Sequence, residues 1–172
     1  MINLHTKRLN LRQITMSDCE QIFSCWASDE EVTKYLTWHT HKNIETTKNV
    51  VKSWIYEYKN NDCYRWGIEL KGTNKLIGII DIVDYISNDP VIGYVLGKAY
   101  WNNGYMTEAL KSVLDKLFRD GYSRILIEAD ERNIGSNSVI IKNGFQFIKK
   151  ETKQCSPLKP EIVTTNWYVK TR

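Results

Sequence analysis

Apolar and polar positions alternate, cluster and alternate again along this chain, and the changes of period mark its elements. From Lys7 to Ile14 the leucines at 9 and 11 alternate with Arg8, Asn10 and Arg12, the pattern of a half-buried strand. Two capping-box spacings follow. Ser17 with Glu20 predicts a helix carrying Ile22, Phe23 and Trp26, and Ser28 with Glu31 predicts one carrying Val32, Tyr35 and Leu36. Asn43 is placed to cap a longer helix, with Ile44, Thr47, Val51, Trp54 and Tyr58 at spacings of three and four.

The period then shortens to two. Tyr64, Trp66, Ile68 and Leu70 alternate with Arg65, Gly67 and Glu69, and Lys71 to Lys75 reads as a hairpin loop before the apolar run Leu76 to Tyr85. A turn at Ser87 to Pro90 leads to a third strand, Val91 to Leu96. After it, Met106, Ala109, Leu110, Val113, Leu117 and Phe118 share one helical face, with Lys116 and Arg119 in the last turn and Gly121 at the C′ position. Arg124 to Ala129 is almost continuously apolar, as in a central strand covered on both faces. A short helix from Asn133 to Asn143 and two closing strands, Phe145 to Lys149 and Ile162 to Val169, complete the chain. The expected fold class is α/β, a mixed and mostly antiparallel sheet with helices on both faces, formed by a single domain over residues 1–172.

Composition narrows the function. At 172 residues the chain can bury roughly 70% of its unfolded surface, so it needs no disulfide or metal to hold a core. The net charge of +4 is spread rather than clustered, unlike a nucleic-acid surface. No apolar stretch approaches the ~20 residues of a membrane span, and the first residues lack the apolar core of a signal peptide. The expectation is a cytoplasmic protein with reduced thiols at Cys19, Cys25, Cys63 and Cys155, no metal site, no nucleic-acid or membrane partner, and room for a homodimer.

One stretch carries chemistry. Tyr100-Trp101-Asn102-Asn103-Gly104-Tyr105-Met106-Thr107 joins a strand to the most regular helix through residues that tolerate unusual backbone angles. Such a junction aims unpaired N–H groups and a positive helix end at an anion, above all a phosphate. The chain has no Gly-Lys-Ser/Thr ending, no GxG, no GxSxG and no HExxH, which removes the common nucleotide, hydrolase and zinc-protease motifs.

The run Ile92-Gly93-Tyr94-Val95-Leu96, then Tyr100 to Ala109, resembles the acetyl-CoA-binding segment of the GCN5-related N-acetyltransferase (GNAT) family, in its ribosomal-protein N-terminal acetyltransferase-like branch. Asn133-Ile134-Gly135-Ser136 followed by Lys142-Asn143-Gly144-Phe145 resembles that family's Asn-x-x-Ser … Lys-x-Gly-Phe helix, and Thr6 to Arg12 resembles the branch's first strand. The resemblance spans nearly the whole chain. It implies an acetyl-CoA-dependent N-acetyltransferase acting on a primary amine, a protein N-terminus or a small molecule, by direct attack in a ternary complex. A non-catalytic acyl-CoA-binding module is the alternative.

By that resemblance Tyr94, Val95 and Leu96 lie against the pantetheine arm and supply backbone oxyanion donors. Trp101, Asn102, Asn103, Gly104, Tyr105, Met106 and Thr107 hold the pyrophosphate, with Asn133 and Ser136 as further contacts. The family's turn usually ends in a small residue; Met106 departs from this and is expected to turn its side chain to the core. Ser136 is the candidate partner of the departing thiolate, because the tyrosine often found four residues later is Ile140 here. Both Ser136 and Asn133 also read as residues satisfying a helix start. Trp38, His39 and His41 are candidates for the acceptor side, and no general base stands out among Asp81, Asp84, Glu69, Glu128 and the two histidines.

Overall fold

The strands gather into one twisted sheet, seen in a computed structural model that describes residues 2–60 and 63–172. Of the expected 1–172 unit, Met1, Asn61 and Asp62 lie outside the described residues. The elements are β1 (Leu4–His5), β2 (Leu9–Arg12), α1 (Cys19–Ile22), α2 (Glu30–Thr33), α3 (Ile44–Glu57), β3 (Arg65–Leu70), β4 (Lys75–Ile86), β5 (Asp89–Leu96), α4 (Tyr105–Arg119), β6 (Arg124–Asp130), α5 (Ile134–Lys142), β7 (Gln146–Gln154) and β8 (Ile162–Thr171). The sheet order is β1-β2-β3-β4-β5-β6-β8-β7, and every neighbouring pair is antiparallel except β5 with β6.

Two apolar layers cover the sheet. On one face α4 brings Met106, Ala109, Leu110, Val113 and Leu117 onto Trp66, Ile80, Ile92, Ile125 and Ile127. On the other, the α1–α3 segment packs Ile22, Trp26 and Val51 onto Leu76, Ile79 and Val95. Strand β4 feeds both layers through a bulge. Gly78 pairs with Ile68 while Leu76 pairs with Glu69, so Ile77 is an extra residue. That insertion flips the alternation, which is why Leu76 and Ile79 face α1–α3 while Ile77 and Ile80 face α4. The β4–β5 hairpin turns at Ser87 and Asn88, both at positive φ (52° and 72°), the geometry whose twist matches the flanking strands.

The two predicted serine caps are corrected by acidic neighbours. Residues 16–27 form one continuous helical run of a 3-10 turn, α1 and a π turn. It is anchored not by Ser17 but by Asp18, which accepts the Thr15 N–H at 2.8 Å and pairs with Arg12. Asp29 rather than Ser28 caps α2, accepting from Glu31 N at 2.8 Å. Ser28 closes the preceding run, its hydroxyl donating to Phe23 O, and so is not free to open the next one. Asn43 caps α3 as expected, accepting from Thr46 N at 3.0 Å. Strand β7 runs five residues beyond the expected Lys149, because it is the outer strand and its polar residues need no buried face to pair with β8. Among the described residues no helix is long and apolar enough to cross a membrane.

Gly97, just past β5, holds the helical run against the sheet. A Cβ there would lie 2.4 Å from Cys25 Sγ and 2.9 Å from Cys25 O, and backbone cannot swing aside. Gly97→Ala is therefore expected to cost about 1–3 kcal/mol through overpacking. Thermal melting should show a fall of roughly 2–4 °C per kcal/mol, and an unchanged melting temperature would remove the argument.

Candidate active site

The site begins where β5 and β6 part. Their parallel pairing covers only Val91 with Leu126 and Ile92 with Ile127. Beyond it β5 stays paired with β4 but turns away from β6. The Gly97 N–H donates to Ile77 O at 2.8 Å, and the ladder pairs Val95 with Ile79. Strand alternation therefore aims the N–H of Val95 at β4, and those of Tyr94 and Leu96 away from it, into the gap. The Leu96 carbonyl on that side accepts the Trp101 indole N–H at 2.7 Å, which folds the following turn back over the strand end.

That turn ends at Gly104, whose φ of 74° is open to glycine without strain, and Asn102 is left-handed as well at 60°. Gly104 stands at the N-cap of α4 with no side-chain cap, so the first N–H groups of a fifteen-residue helix point outward unmet by a side chain. Asn103 braces the turn from behind, its side-chain amide donating to Trp101 O at 2.8 Å. Met106 is 4% exposed and lies in the α4 core, so its bulk leaves the turn clear while its N–H stays with the helix start.

A clamp from the N-terminal hairpin fixes this helix start. Glu108 accepts from Thr6 Oγ1 at 2.6 Å, Arg8 N at 2.8 Å and Arg8 Nε at 2.7 Å. Arg8 also donates to Asn103 O at 2.9 Å and lies over the Tyr105 ring. Burial opposes ionisation of Glu108, but these hydrogen bonds outweigh it and hold the carboxyl below its ordinary value near 4.5.

Across the gap, α5 presents a second polar cluster. Asn133 caps it by accepting the Ser136 N–H at 3.1 Å. The Tyr94 hydroxyl reaches over from β5 to lie 2.9 Å from Ser136 Oγ and to donate to Ser136 O at 3.1 Å. Burial pushes the Tyr94 phenol well above its ordinary range, so it stays protonated. Ile140 is fully buried in the core and has no access to this gap.

A cleft of about 500 Å³ joins these parts. Of the residues expected at the site, Tyr94, Val95, Leu96, Trp101, Asn102, Gly104, Tyr105, Met106, Thr107, Asn133 and Ser136 line it, and Asn103 stands behind. Trp38, His39 and His41 line neither this cleft nor the smaller cavity beside it. His41 instead bonds to Thr47 through Nδ1 at 2.8 Å, and burial lowers its pKa.

The strand carboxylates are engaged as well. Asp81 pairs with Arg65 at 2.9 Å, Glu69 with Arg12 at 2.7 Å and Glu128 with Lys153 at 2.7 Å, while Asp84 accepts from Tyr85 N. Among the described residues no cluster of His, Cys, Asp and Glu could hold a metal ion.

Sequence reasoning did not find the Tyr94 phenol, the Arg8–Glu108 clamp, or Tyr35 and Arg132 on the cleft wall. Arg132 lies 5.7 Å from the Tyr35 ring centroid, a contact between residues almost a hundred positions apart.

The chain is similar to known proteins in sequence and in fold. The sequence model of the acetyltransferase (GNAT) domain matches residues 8–146. The chain is 36% identical over 146 residues to the uncharacterized N-acetyltransferase YoaA of Bacillus subtilis (strain 168), covering 83% of this chain and 82% of that one. The crystal structure of a GNAT-family acetyltransferase from Bacillus anthracis superposes with a TM-score of 0.84 at 27% identity, covering 99% of this chain and 98% of the other. The ribosomal alpha-N-protein acetyltransferase RimL, solved in complex with coenzyme A, shares the fold with a TM-score of 0.82 at 20% identity over 99% of this chain and 98% of that one.

The clamp carries a pH signature. Because the folded pKa of Glu108 lies below its unfolded value, its contribution is present above about pH 4.5 and is lost as pH falls through the folded value. Glu108→Gln should cost about 1–2 kcal/mol at neutral pH, discounted for a partly exposed pair. It should also make the acid limb of a melting-temperature profile shallower. An acid limb identical to wild type would show that Glu108 contributes nothing.

Proposed function

We propose that this chain, which belongs to the GNAT acetyltransferase family and is an acyltransferase, moves acetyl from acetyl-CoA to a primary amine by direct attack within a ternary complex. The observation that carries the reading is the gap between β5 and β6, with the N–H groups of Tyr94 and Leu96 directed into it and the uncapped start of α4 beside it. A thioester carbonyl placed in the gap would meet backbone donors suited to a developing oxyanion. The residues present fit the cosubstrate: the turn from Asn102 to Thr107 offers N–H groups to a pyrophosphate, and the β5 edge offers an unpaired strand to the pantetheine amides.

Acetyl-CoA supplies an activated acyl group on a thiolate leaving group. The protein then has three tasks. It holds the amine against the carbonyl carbon so that the new C–N bond forms as the C–S bond breaks. It stabilises the tetrahedral oxyanion from the Tyr94 and Leu96 N–H groups, and it protonates the departing sulfur. Ser136 is assigned the last task, its hydroxyl oriented by the Tyr94 hydroxyl 2.9 Å from Oγ, and it recovers its own proton from solvent. The proton released by the amine passes to solvent or to an acceptor-side base.

A covalent acetyl-enzyme is disfavoured. No cysteine lines the main cleft; burial raises the Cys155 thiol in the neighbouring cavity and pushes that of Cys25 up to about 11, leaving little thiolate at neutral pH. The acceptor is an amine of the protein N-terminal or small-molecule kind.

Ser136→Ala should lower kcat roughly 10- to 100-fold while leaving the Kd for acetyl-CoA nearly unchanged, in the range seen for a general acid. Tyr94→Phe should lower kcat by a smaller factor, since the serine hydroxyl remains. Steady-state kinetics with calorimetric binding decide it: full kcat in the alanine variant ends the role assigned to Ser136.

A further inference from the structure

Asparagine is followed by glycine at two places in the chain, Asn103-Gly104 and Asn143-Gly144. Such a pair is chemically fragile. The nitrogen of the following peptide can attack the side-chain amide carbon, and glycine, lacking a Cβ, lets the backbone reach the geometry that this ring closure needs. The two pairs sit in opposite surroundings.

At the second pair the attacking nitrogen is occupied. The Gly144 N–H donates to Ile141 O at 2.9 Å as α5 ends, and the Asn143 side-chain amide donates to Val139 O at 2.9 Å. Ring closure there would undo the end of the helix. At the first pair Asn103 and Gly104 are both exposed, and the Gly104 N–H has no acceptor among the described residues. Arg8 adds a chemical push. Its Nη1 donates at 2.9 Å to Asn103 O, the carbonyl of the same peptide unit as the Gly104 nitrogen. A guanidinium on that oxygen favours the deprotonated peptide, whose negative charge is shared between nitrogen and oxygen. The Asn103 side chain is held by one neutral bond to Trp101 O at 2.8 Å, on an exposed turn where water can replace it at little cost.

We propose that Asn103 is a site of spontaneous deamidation and that the bound cosubstrate shields it. The Gly104 nitrogen, its proton lost to solvent, bonds to Asn103 Cγ. The bond from Cγ to the side-chain nitrogen breaks, and ammonia leaves with a proton from water, giving a cyclic imide. Water then adds to either imide carbonyl and opens the ring, leaving aspartate or isoaspartate. Both products put a carboxylate on the turn, and isoaspartate also lengthens the main chain by one carbon just before the N-cap of α4. A carboxylate there repels an incoming pyrophosphate. The shielding rests on the reading of this turn as the pyrophosphate site; the deamidation itself does not.

The full chain is aged at mildly alkaline pH with and without CoA, and its peptides are weighed and sequenced by mass spectrometry. Cleavage after lysine places residues 103 and 143 on separate peptides. Residue 103 should gain one mass unit, as aspartate and isoaspartate, roughly fivefold or more faster than residue 143. Saturating CoA should slow residue 103 by a similar factor and leave residue 143 unchanged. Asn103→Asp should bind CoA about tenfold more weakly by calorimetry, with a melting temperature near wild type to show that it folds. Equal rates at the two residues, or faster change at 143, overturn the site. Ageing at 103 that ignores bound CoA overturns the shielding. Fresh protein that binds no CoA sinks the cofactor reading of the turn and leaves the comparison of 103 with 143 to decide the deamidation alone.

Discussion

The arrangement of this molecule depends on a ladder that stops after two residue pairs. Where β5 and β6 separate, the sheet gives up backbone hydrogen bonds that a longer parallel pairing would have made. An unmet buried N–H or carbonyl costs about 1–3 kcal/mol, so the separation persists only if other groups answer for it. Trp101 answers at the Leu96 carbonyl, and the Tyr94 side chain ties β5 to the first turn of α5 across the gap. What stays open is a pair of N–H groups facing a cleft on one side of the sheet, with a charged cavity on the other. One break in the ladder thus leaves the end of β5 open beside the start of α4.

The helix start beside that break has its own problem. Glu108 lies in the first turn of α4, where a free carboxylate would favour the helix dipole but repel a phosphate arriving at the turn. Thr6 and Arg8 remove the conflict. Their three hydrogen bonds absorb the negative charge locally, and Arg8 continues on to Asn103 O, so the hairpin that begins the sheet also sets the backbone of the turn. Electrostatics and loop geometry are solved by the same arginine. The N-terminal strands are therefore part of the site although they contribute no residue to the cleft wall.

How much of this could be read from the chain depends on how local each interaction is. The strand–turn–helix at Trp101 to Thr107 and the cap at Asn133 are local, and the structure places them together as their residue types imply. The cap expected at Ser28 falls one residue later because Asp29 takes the Glu31 N–H, and the one expected at Ser17 falls two residues earlier, at Thr15, whose N–H goes to Asp18, a carboxylate further held by the distant Arg12. The end of β7 was missed because an outer strand has no buried face and leaves no alternation. Trp38, His39 and His41 follow Tyr35 within six positions, yet the chain turns between them. Tyr35 faces the cleft while His41 packs on α3, and no periodicity records that turn. The Arg8–Glu108 and Tyr94–Ser136 contacts join residues far apart in sequence and have no pattern to betray them.

Met106 shows what kind of specificity the site has. By its type alone, a large side chain at a position usually held by a small one suggests a damaged phosphate turn. Its side chain is buried in the α4 core, so the change alters packing beneath the helix and not the surface above it. An anion held by backbone N–H groups reads the path of the chain, and many side chains are compatible with one path. Side chains beneath the turn can therefore change while that path stays intact, which is why the turn is legible from its residue types despite Met106.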